Sequence, residues 1–223
     1  MRRAVRRTAL AVLLSGGVVG AATWVVFFSP VLGVREVEVT GNTRIPAEQV
    51  RAAAGVRTGT PLATVDLGAV EGRVSALRAV ESARVARGWP GTLRIDVVER
   101  VPAAAVPAGA LTDVIDRYGV VLEQVPVAPP RLPVLRVQRA AADDPATRSA
   151  LAVLRALPAD LLDRLREVRA PSPDSITLRL TDGRTVVWGD AGRAAEKARV
   201  LVAVLPKPGK TYDVSSPRVV TVR

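Results

Sequence analysis

The side chains that most often carry out chemistry in proteins are scarce in this chain. Its 223 residues include no histidine and no cysteine, which excludes Ser-His-Asp catalysis, cysteine nucleophiles and the common zinc ligand sets. Asp113 and Asp116 could form an acid/base pair, but their spacing in a predicted strand puts them on opposite faces, and we interpret them as hairpin and surface residues. Lys197 follows no serine motif, so we interpret it as a solvated helix residue. The sequence predicts no catalytic site, no metal and no cofactor.

Charge and composition limit the classes of partner. The net charge is +11, which favours anionic lipid or wall polymer as a neighbour. The basic residues are dispersed, however, and only 3% of residues are aromatic. Because no stacking platform or recognition motif accompanies the charge, the sequence does not indicate a nucleic-acid-binding protein.

The N-terminal segment has the pattern of a membrane anchor. Four arginines among the first eight residues precede Ala9–Phe28, a run of 20 residues without a charge, which is long enough to span a bilayer. The positive-inside rule predicts a cytoplasmic tail at residues 1–8, a transmembrane helix at 9–28 and an extracytoplasmic remainder. A cleaved signal peptide is the alternative, because residues 20–22 are small, but the apolar run continues beyond them. Gly16 and Gly20 have a GxxxG spacing, which is a possible transmembrane helix contact.

Residues 34–101 are predicted to form a first α+β module in the order β-α-α-β-β. Val37 and Val39 alternate with polar residues as in a strand, and Asp66 suits the N-cap of the second of two short helices. The Trp89-Pro90-Gly91 turn then joins two strands.

Residues 102–223 are predicted to form a second module with a mixed sheet and flanking helices. Its features are hairpins, helices and a terminal strand. They are a hairpin at Arg117-Tyr118-Gly119, a helix from Asp144-Pro145, a second helical segment containing Leu161, Leu162, Leu165 and Val168, a hairpin at Asp182-Gly183, a helix over Glu196–Leu205 and a β-branched strand at Val219–Val222. Trp188 is predicted to pack in the sheet. Trp89 is either a ligand or membrane contact or a turn-packing residue.

One segment carries a family resemblance. The stretch Arg87–Ala103, in which Trp89-Pro90 is followed by Glu99-Arg100-x-Pro102, resembles the FtsQ/DivIB family of bacterial division proteins, in particular the actinobacterial type. The resemblance implies a POTRA domain and then an FtsQ-type β domain, in a single-pass type II membrane protein at the division septum. It implies a non-catalytic divisome scaffold that recruits FtsB-like and FtsL-like (DivIC-like) bitopic proteins and links early and late division proteins.

The resemblance also implies where the partner binds. In this family the partner adds a strand to the edge formed by the last strand, which agrees with the unpaired backbone edge that a terminal strand offers. The corresponding residues are Ser215, Ser216, Arg218, Val219, Val220, Thr221 and Val222. A POTRA-containing envelope transport or secretion accessory is the alternative function, and a wall-polymer enzyme is weaker because no carboxylates converge.

Overall fold

The computed structural model describes residues 13–21, 23–24, 32–217 and 219–223. The chain divides into two compact units, Met1–Arg100 and Val101–Arg223. Residues 13–21 and 23–24 are helical and exposed, and no helix within the described ranges is long and apolar enough to cross a membrane. The predicted tail, and residues 9–12, 22 and 25–28 of the predicted span, lie outside these ranges. A Cβ added at Gly16 or Gly20 would meet nothing within 4 Å.

The first unit has the predicted β-α-α-β-β order around one small sheet. Its elements are β1 (Glu36–Thr40), α1 (Ala47–Ala54), a short 3₁₀ turn (Leu62–Thr64), α2 (Leu67–Ser75), β2 (Val80–Gly88) and β3 (Thr92–Glu99). The sheet order is β1-β3-β2, with β1 parallel and β2 antiparallel to the central strand β3. As predicted, Asp66 caps α2, accepting a hydrogen bond from the Ala69 amide at 3.0 Å. Leu93 and Ile95 of β3 pack in the core with residues of both helices.

Glu99 gives the resembling motif a structural role. Its carboxylate accepts hydrogen bonds from the backbone amides of Thr43 (2.6 Å), Arg44 (2.9 Å) and Ile45 (2.9 Å), and so joins the end of β3 to the loop between β1 and α1. Burial alone would raise the pKa of Glu99, but these amide donors and the Arg44 side chain outweigh it and lower the pKa. The carboxylate is therefore held ionised where the loop needs an acceptor.

The second unit contains one long mixed sheet. Its elements are β4 (Pro102–Ala108), β5 (Leu111–Asp116), β6 (Val121–Val125), β7 (Val134–Val137), α3 (Pro145–Ala156), α4 (Ala159–Leu162), β8 (Leu165–Ala170), β9 (Ile176–Leu180), β10 (Thr185–Gly189), α5 (Ala194–Val204), β11 (Thr211–Asp213) and β12 (Thr221–Val222). The strand order is β12-β11-β10-β9-β8-β7-β4-β5-β6. The pairs β4/β7, β7/β8 and β10/β11 are parallel. Helices α3 and α5 contact each other and contribute buried residues to the core.

One part of this unit differs from the sequence expectation. Leu165 and Val168, predicted to be helical, lie in strand β8, where a register shift between Leu165 and Glu167 gives buried residues a spacing of three that resembles a helix. Pro102 and Pro107 both lie in strand β4, whose pairing with β7 is confined to Ala105 and Val134. Proline is tolerated in β4 because the side of the strand that faces β7 makes few ladder hydrogen bonds, so most residues on that side need no amide donor.

Asp113 and Asp116, which the sequence indicated to be hairpin and surface residues, both accept hydrogen bonds around the β5–β6 hairpin. The Asp113 carboxylate accepts from the Gln124 side chain at 2.7 Å across the β5/β6 hairpin, as a hairpin residue should. Asp116 is fully buried rather than on the surface. Its carboxylate accepts from the amides of Tyr118 and Val120, each at 2.8 Å, because the tight turn after β5 leaves these donors pointing inward.

Candidate partner-binding edge

Strand β12 is the outermost strand at one end of the nine-stranded sheet. The Arg223 amide donates to the Thr211 carbonyl and the Thr211 amide to the Arg223 carbonyl, both at 2.9 Å. Since this antiparallel pair exchanges both bonds, the adjacent pair of Tyr212 and Val222 is a non-hydrogen-bonded one. The N–H and C=O of Val222 therefore point away from β11, toward the open side of the sheet.

The terminal strand is shorter than the sequence indicated. Of the predicted partner-binding residues, only Thr221 and Val222 form the strand. Ser215, Ser216 and Val219 lie in bends, and Val220 has no assigned secondary structure. Arg218 lies outside the described residues. The strand therefore begins at Thr221 rather than at the predicted Val219, and most of the segment that the resemblance implies for partner binding precedes it.

Side-chain hydrogen bonding near Asp213 explains the shorter strand. The Asp213 carboxylate accepts from the Ser215 amide at 3.0 Å and from its hydroxyl at 2.6 Å, and the Val219 amide donates to the Ser216 carbonyl at 3.0 Å. The Ser215 hydroxyl and amide lower the pKa of Asp213, against a smaller opposing effect of burial. The sequence contained a signal for this bend, because Asp-x-Ser followed by Pro217 favours a turn over a strand.

Strand β11, with which β12 pairs, is held in place by the contacts of Tyr212. Tyr212 is fully buried and its hydroxyl donates to the Lys207 carbonyl at 2.6 Å. The Arg184 guanidinium lies 5.7 Å from the Tyr212 ring centroid and donates to the Leu205 carbonyl at 2.7 Å. These contacts hold the chain between α5 and β11 against the start of β10.

Gly209 makes room for the terminal strand. A Cβ atom at this position would overlap the Val222 side chain and approach the Arg223 carbonyl oxygen to 3.1 Å. The close approach needs a residue without a side chain. Gly209 is thus one of the residues that set the position of β12.

Lys197 is buried, which corrects its interpretation as a solvated helix residue. Only 1% of the residue is exposed. Its ammonium group donates to the carbonyls of Trp188 (3.1 Å) and Asp190 (2.9 Å) and lies 3.1 Å from the Asp190 carboxylate. The bend after β10 turns these oxygens toward α5, and a buried lysine without such acceptors would be costly.

The residues that bind the Lys197 ammonium group also lie close to the bend formed by Asp213 and Ser215. Gly189, between the two carbonyl acceptors, has a φ of +77°, and an added Cβ would lie 3.0 Å from Ser215 Cβ. Trp188 packs in the core as predicted. We name Lys197, Trp188, Gly189 and Asp190 the lysine clamp, because together they hold the end of β10 beside the Asp213–Ser215 bend.

The exposed surface at this edge is apolar with a cationic end. Val219 is 71% exposed, Val220 and Val222 are partly buried against the core, and Thr221 and Arg223 are exposed. The edge therefore has backbone hydrogen-bonding groups beside valine side chains, and an open strand edge of this kind is where strand addition takes place in other proteins.

Comparisons with known proteins identify the family. The POTRA domain, FtsQ-type, matches residues 32–100, and the C-terminal domain of the cell division protein FtsQ/DivIB matches residues 104–220. In the first unit, the matched range covers all three strands and both helices.

Relatives named cell division protein FtsQ match over most of the chain. The relative from Mycobacteroides abscessus is 45% identical over 214 residues, covering 96% of this chain and 68% of the relative. That from Mycolicibacterium smegmatis is 48% identical, covering 88% and 59%, and that from Streptomyces bingchenggensis is 37% identical, covering 95% and 84%. The chain thus spans about three fifths to two thirds of the length of the two mycobacterial relatives.

Among solved structures, the major extracytoplasmic domain of the division protein DivIB from Geobacillus stearothermophilus matches at 25% identity with a TM-score of 0.38, covering 48% of this chain and 91% of that domain. The two family models together span residues 32–220 with only a short gap. The chain belongs to the FtsQ/DivIB family of bacterial cell division proteins.

Proposed function

We propose that this chain is a non-catalytic divisome scaffold that binds FtsB-like and FtsL-like (DivIC-like) bitopic proteins and links early and late division proteins during septum assembly. Family membership supports a role in division. The observation that carries the binding mode is the outward direction of the Val222 backbone groups on β12. A partner strand would pair with this edge, and the neighbouring valines would select its side chains.

The proposal includes a domain arrangement and a location. Residues 1–8 form a cytoplasmic tail, 9–28 a transmembrane helix, 34–101 the POTRA domain and 102–223 the β domain. The protein is a single-pass type II membrane protein at the division septum. The basic N-terminus before an uncharged run supports this topology, and Gly16 and Gly20 are the proposed contact with another transmembrane helix.

The binding mode is tested by removing one outward donor. A Val222→Pro variant lacks the amide that faces the open edge, and because the partner's acceptor then has no donor, we expect the partner to bind roughly tenfold more weakly. The measurement is the affinity of the purified full chain for FtsB-like and FtsL-like proteins of the same bacterium. Val220→Pro should also weaken capture, by straining the approach to the strand.

A matched control distinguishes the loss of the Val222 amide from a general effect of introducing a proline. Val127 is 79% exposed after β6, so Val127→Pro is the same substitution away from β12, and binding should be unchanged. Crosslinking from residues 215–223 to the partner locates the contact directly. Undiminished binding by a Val222→Pro protein with normal unfolding behaviour would contradict strand addition at this edge.

The location is tested in cells. A fluorescent fusion to the N-terminus should form rings at midcell, because the scaffold acts at the septum. A uniform envelope signal would instead favour the transport or secretion alternative.

A further inference from the structure

A basic cavity lies within the second unit, between the β5–β6 turn and helix α3. Its volume is about 500 Å³, in the range of small-molecule sites. Three arginines line it, together with an aromatic ring and smaller apolar groups: Arg117, Arg148, Arg155, Tyr118, Ala142 and Leu151. The strand order puts β5 and β6 at the opposite end of the sheet from β12.

Helix α3 presents two of the arginines on one face. Arg148, Leu151 and Arg155 are spaced by three and four residues, which puts them in one stripe along a helix. Leu151 is buried and anchors this stripe in the core. Arg155 donates through Nη1 to the Arg117 carbonyl at 2.7 Å, which ties the helix to the turn.

The turn is packed closely enough to give the cavity a fixed shape. Gly119 has a φ of +84°, and a Cβ there would lie 3.1 Å from the Ala142 Cα and 3.5 Å from Leu151 Cδ1. The Asp116 carboxylate binds the amides of Tyr118 and Val120. A preformed site of this kind loses less entropy on binding than one that must be ordered.

The charges around the cavity favour an anion. Asp143 pairs with Arg139 at 3.0 Å, and Asp144 caps α3 by accepting from the Thr147 amide at 2.8 Å. In the part of the chain that the structure describes, no salt bridge joins Arg148 or Arg155 to a carboxylate. The Arg117 guanidinium lies 5.1 Å from the Tyr118 ring centroid, which limits its positions.

We infer that this cavity binds the phosphate group of a phosphate ester. Guanidinium groups match phosphate oxygens through paired N–H donors, and those of Arg148 and Arg155, with the positive charge of Arg117 beside them, suit a doubly charged phosphomonoester better than a single carboxylate. A second cavity of about 290 Å³ shares Arg117, Leu151 and Arg155 with the first. The rest of its lining is mainly apolar, with Leu132, Leu154 and Leu162 among its residues, and also includes the charged Arg131 and Asp163. The apolar part of the ester would lie there.

The test uses two matched probes and the full chain in micelles of a neutral detergent. Glycerol 3-phosphate and dihexanoylphosphatidic acid carry the same phosphomonoester, without and with acyl chains, and titration calorimetry gives both affinities. We expect Arg148→Gln to weaken binding at least fivefold and Arg148→Gln/Arg155→Gln at least tenfold. Arg179→Gln, which removes an exposed arginine on β9, should change it less than twofold. Arg148→Lys keeps the positive charge but loses the paired N–H donors of the guanidinium group, so its affinity should lie between those of the wild type and Arg148→Gln.

Each outcome decides the inference. Binding of both probes with similar affinity indicates a site for a soluble ester, whereas tighter binding of the acylated probe indicates a lipid headgroup. Either result supports the inference if Arg148→Gln weakens the binding of the probe. Within the described residues the Arg148 side chain makes no hydrogen bond or salt bridge, and its backbone bond to the Asp144 carbonyl does not depend on the guanidinium group, so this variant should fold even if the double variant does not. Binding of neither probe, or equal effects of Arg148→Gln and Arg179→Gln, would overturn it. Strand addition at β12 involves other residues and does not depend on this result.

Discussion

A Lys197→Met variant removes the ammonium group of the lysine clamp while keeping an unbranched side chain of similar length. The substitution deletes the hydrogen bonds to the carbonyls of Trp188 and Asp190 and the ion pair with the Asp190 carboxylate, all at 2.9 to 3.1 Å. We expect the second unit to become less stable, because its core is otherwise unchanged and a buried acceptor loses its donor.

The magnitude follows from the exposure of each partner. A buried carbonyl such as that of Trp188, left without a donor, costs about 1–3 kcal/mol. The Asp190 side chain is 63% exposed, so its carboxylate regains water and its ion pair contributes only about 0–1 kcal/mol. Removing a buried charge offsets part of the loss. The net expectation is about 2 kcal/mol of unfolding free energy, or a Tm lower by roughly 8 °C for a unit of this size.

Tryptophan fluorescence can report this unit alone. The sequence has three tryptophans, and Trp188, which is fully buried, is the one in the second unit. In a Trp24→Phe/Trp89→Phe background, urea unfolding followed by fluorescence gives the free energy of unfolding of the second unit. Lys210→Met is the matched control, since Lys210 is exposed, and it should change stability by less than about 0.5 kcal/mol.

The pH dependence provides a second readout. The hydrogen bond from Lys197 lowers the pKa of Asp190, against a smaller effect of burial and with help from the Gly192 amide. A carboxylate whose pKa is lower in the folded protein stabilises the fold fully at pH values above its pKa in the unfolded chain, which is about 3.9. This stabilisation is lost as the pH falls through the pKa of the carboxylate in the folded protein. The difference between wild type and Lys197→Met should therefore narrow below about pH 4. Equal unfolding free energies for Lys197→Met and Lys210→Met at neutral pH would refute the conclusion that the lysine clamp stabilises the second unit.

Three further substitutions test other contacts. Glu99→Gln should destabilise the first unit by about 1–3 kcal/mol, and because the pKa of Glu99 is lowered, the difference should shrink in acid below about pH 4; equal unfolding curves at pH 7 would contradict the role of this carboxylate. Gly209→Ala should displace Val222 and speed hydrogen exchange of the Thr211 amide, whereas unchanged protection would show that the fit is not tight. Gly72→Ala, in the exposed interior of α2 with nothing within 4 Å of the added Cβ, should stabilise the first unit by about 0.5–1 kcal/mol, and a lower Tm would count against this.

The elements of the first unit could be predicted because each depends on nearby residues. Val37 and Val39 alternate with polar neighbours, Asp66 caps the helix that follows it, and the Trp89–Gly91 turn joins adjacent strands. Such signals act over a few residues and need no knowledge of distant partners.

Features that depend on distant or irregular contacts were missed. The bulge in β8 hides the alternation that identifies a strand, and the acceptors of Lys197 are backbone oxygens exposed by the bend after β10. At the candidate edge, β-branched Val219 favoured a strand, but the bend fixed by Asp213 and Ser215 has the stronger effect. Local propensity is a weak guide where side chains bind the backbone directly.

The order of strands in the first unit has a consequence for how the protein is made. Its central strand, β3, is the last of the three along the chain and pairs with both β1 and β2. Because ribosomes build a polypeptide from its N-terminus, β1 emerges more than fifty residues before its only ladder partner. No part of this sheet can assemble during synthesis until residues 92–99 are available, so the unit should fold in one late step.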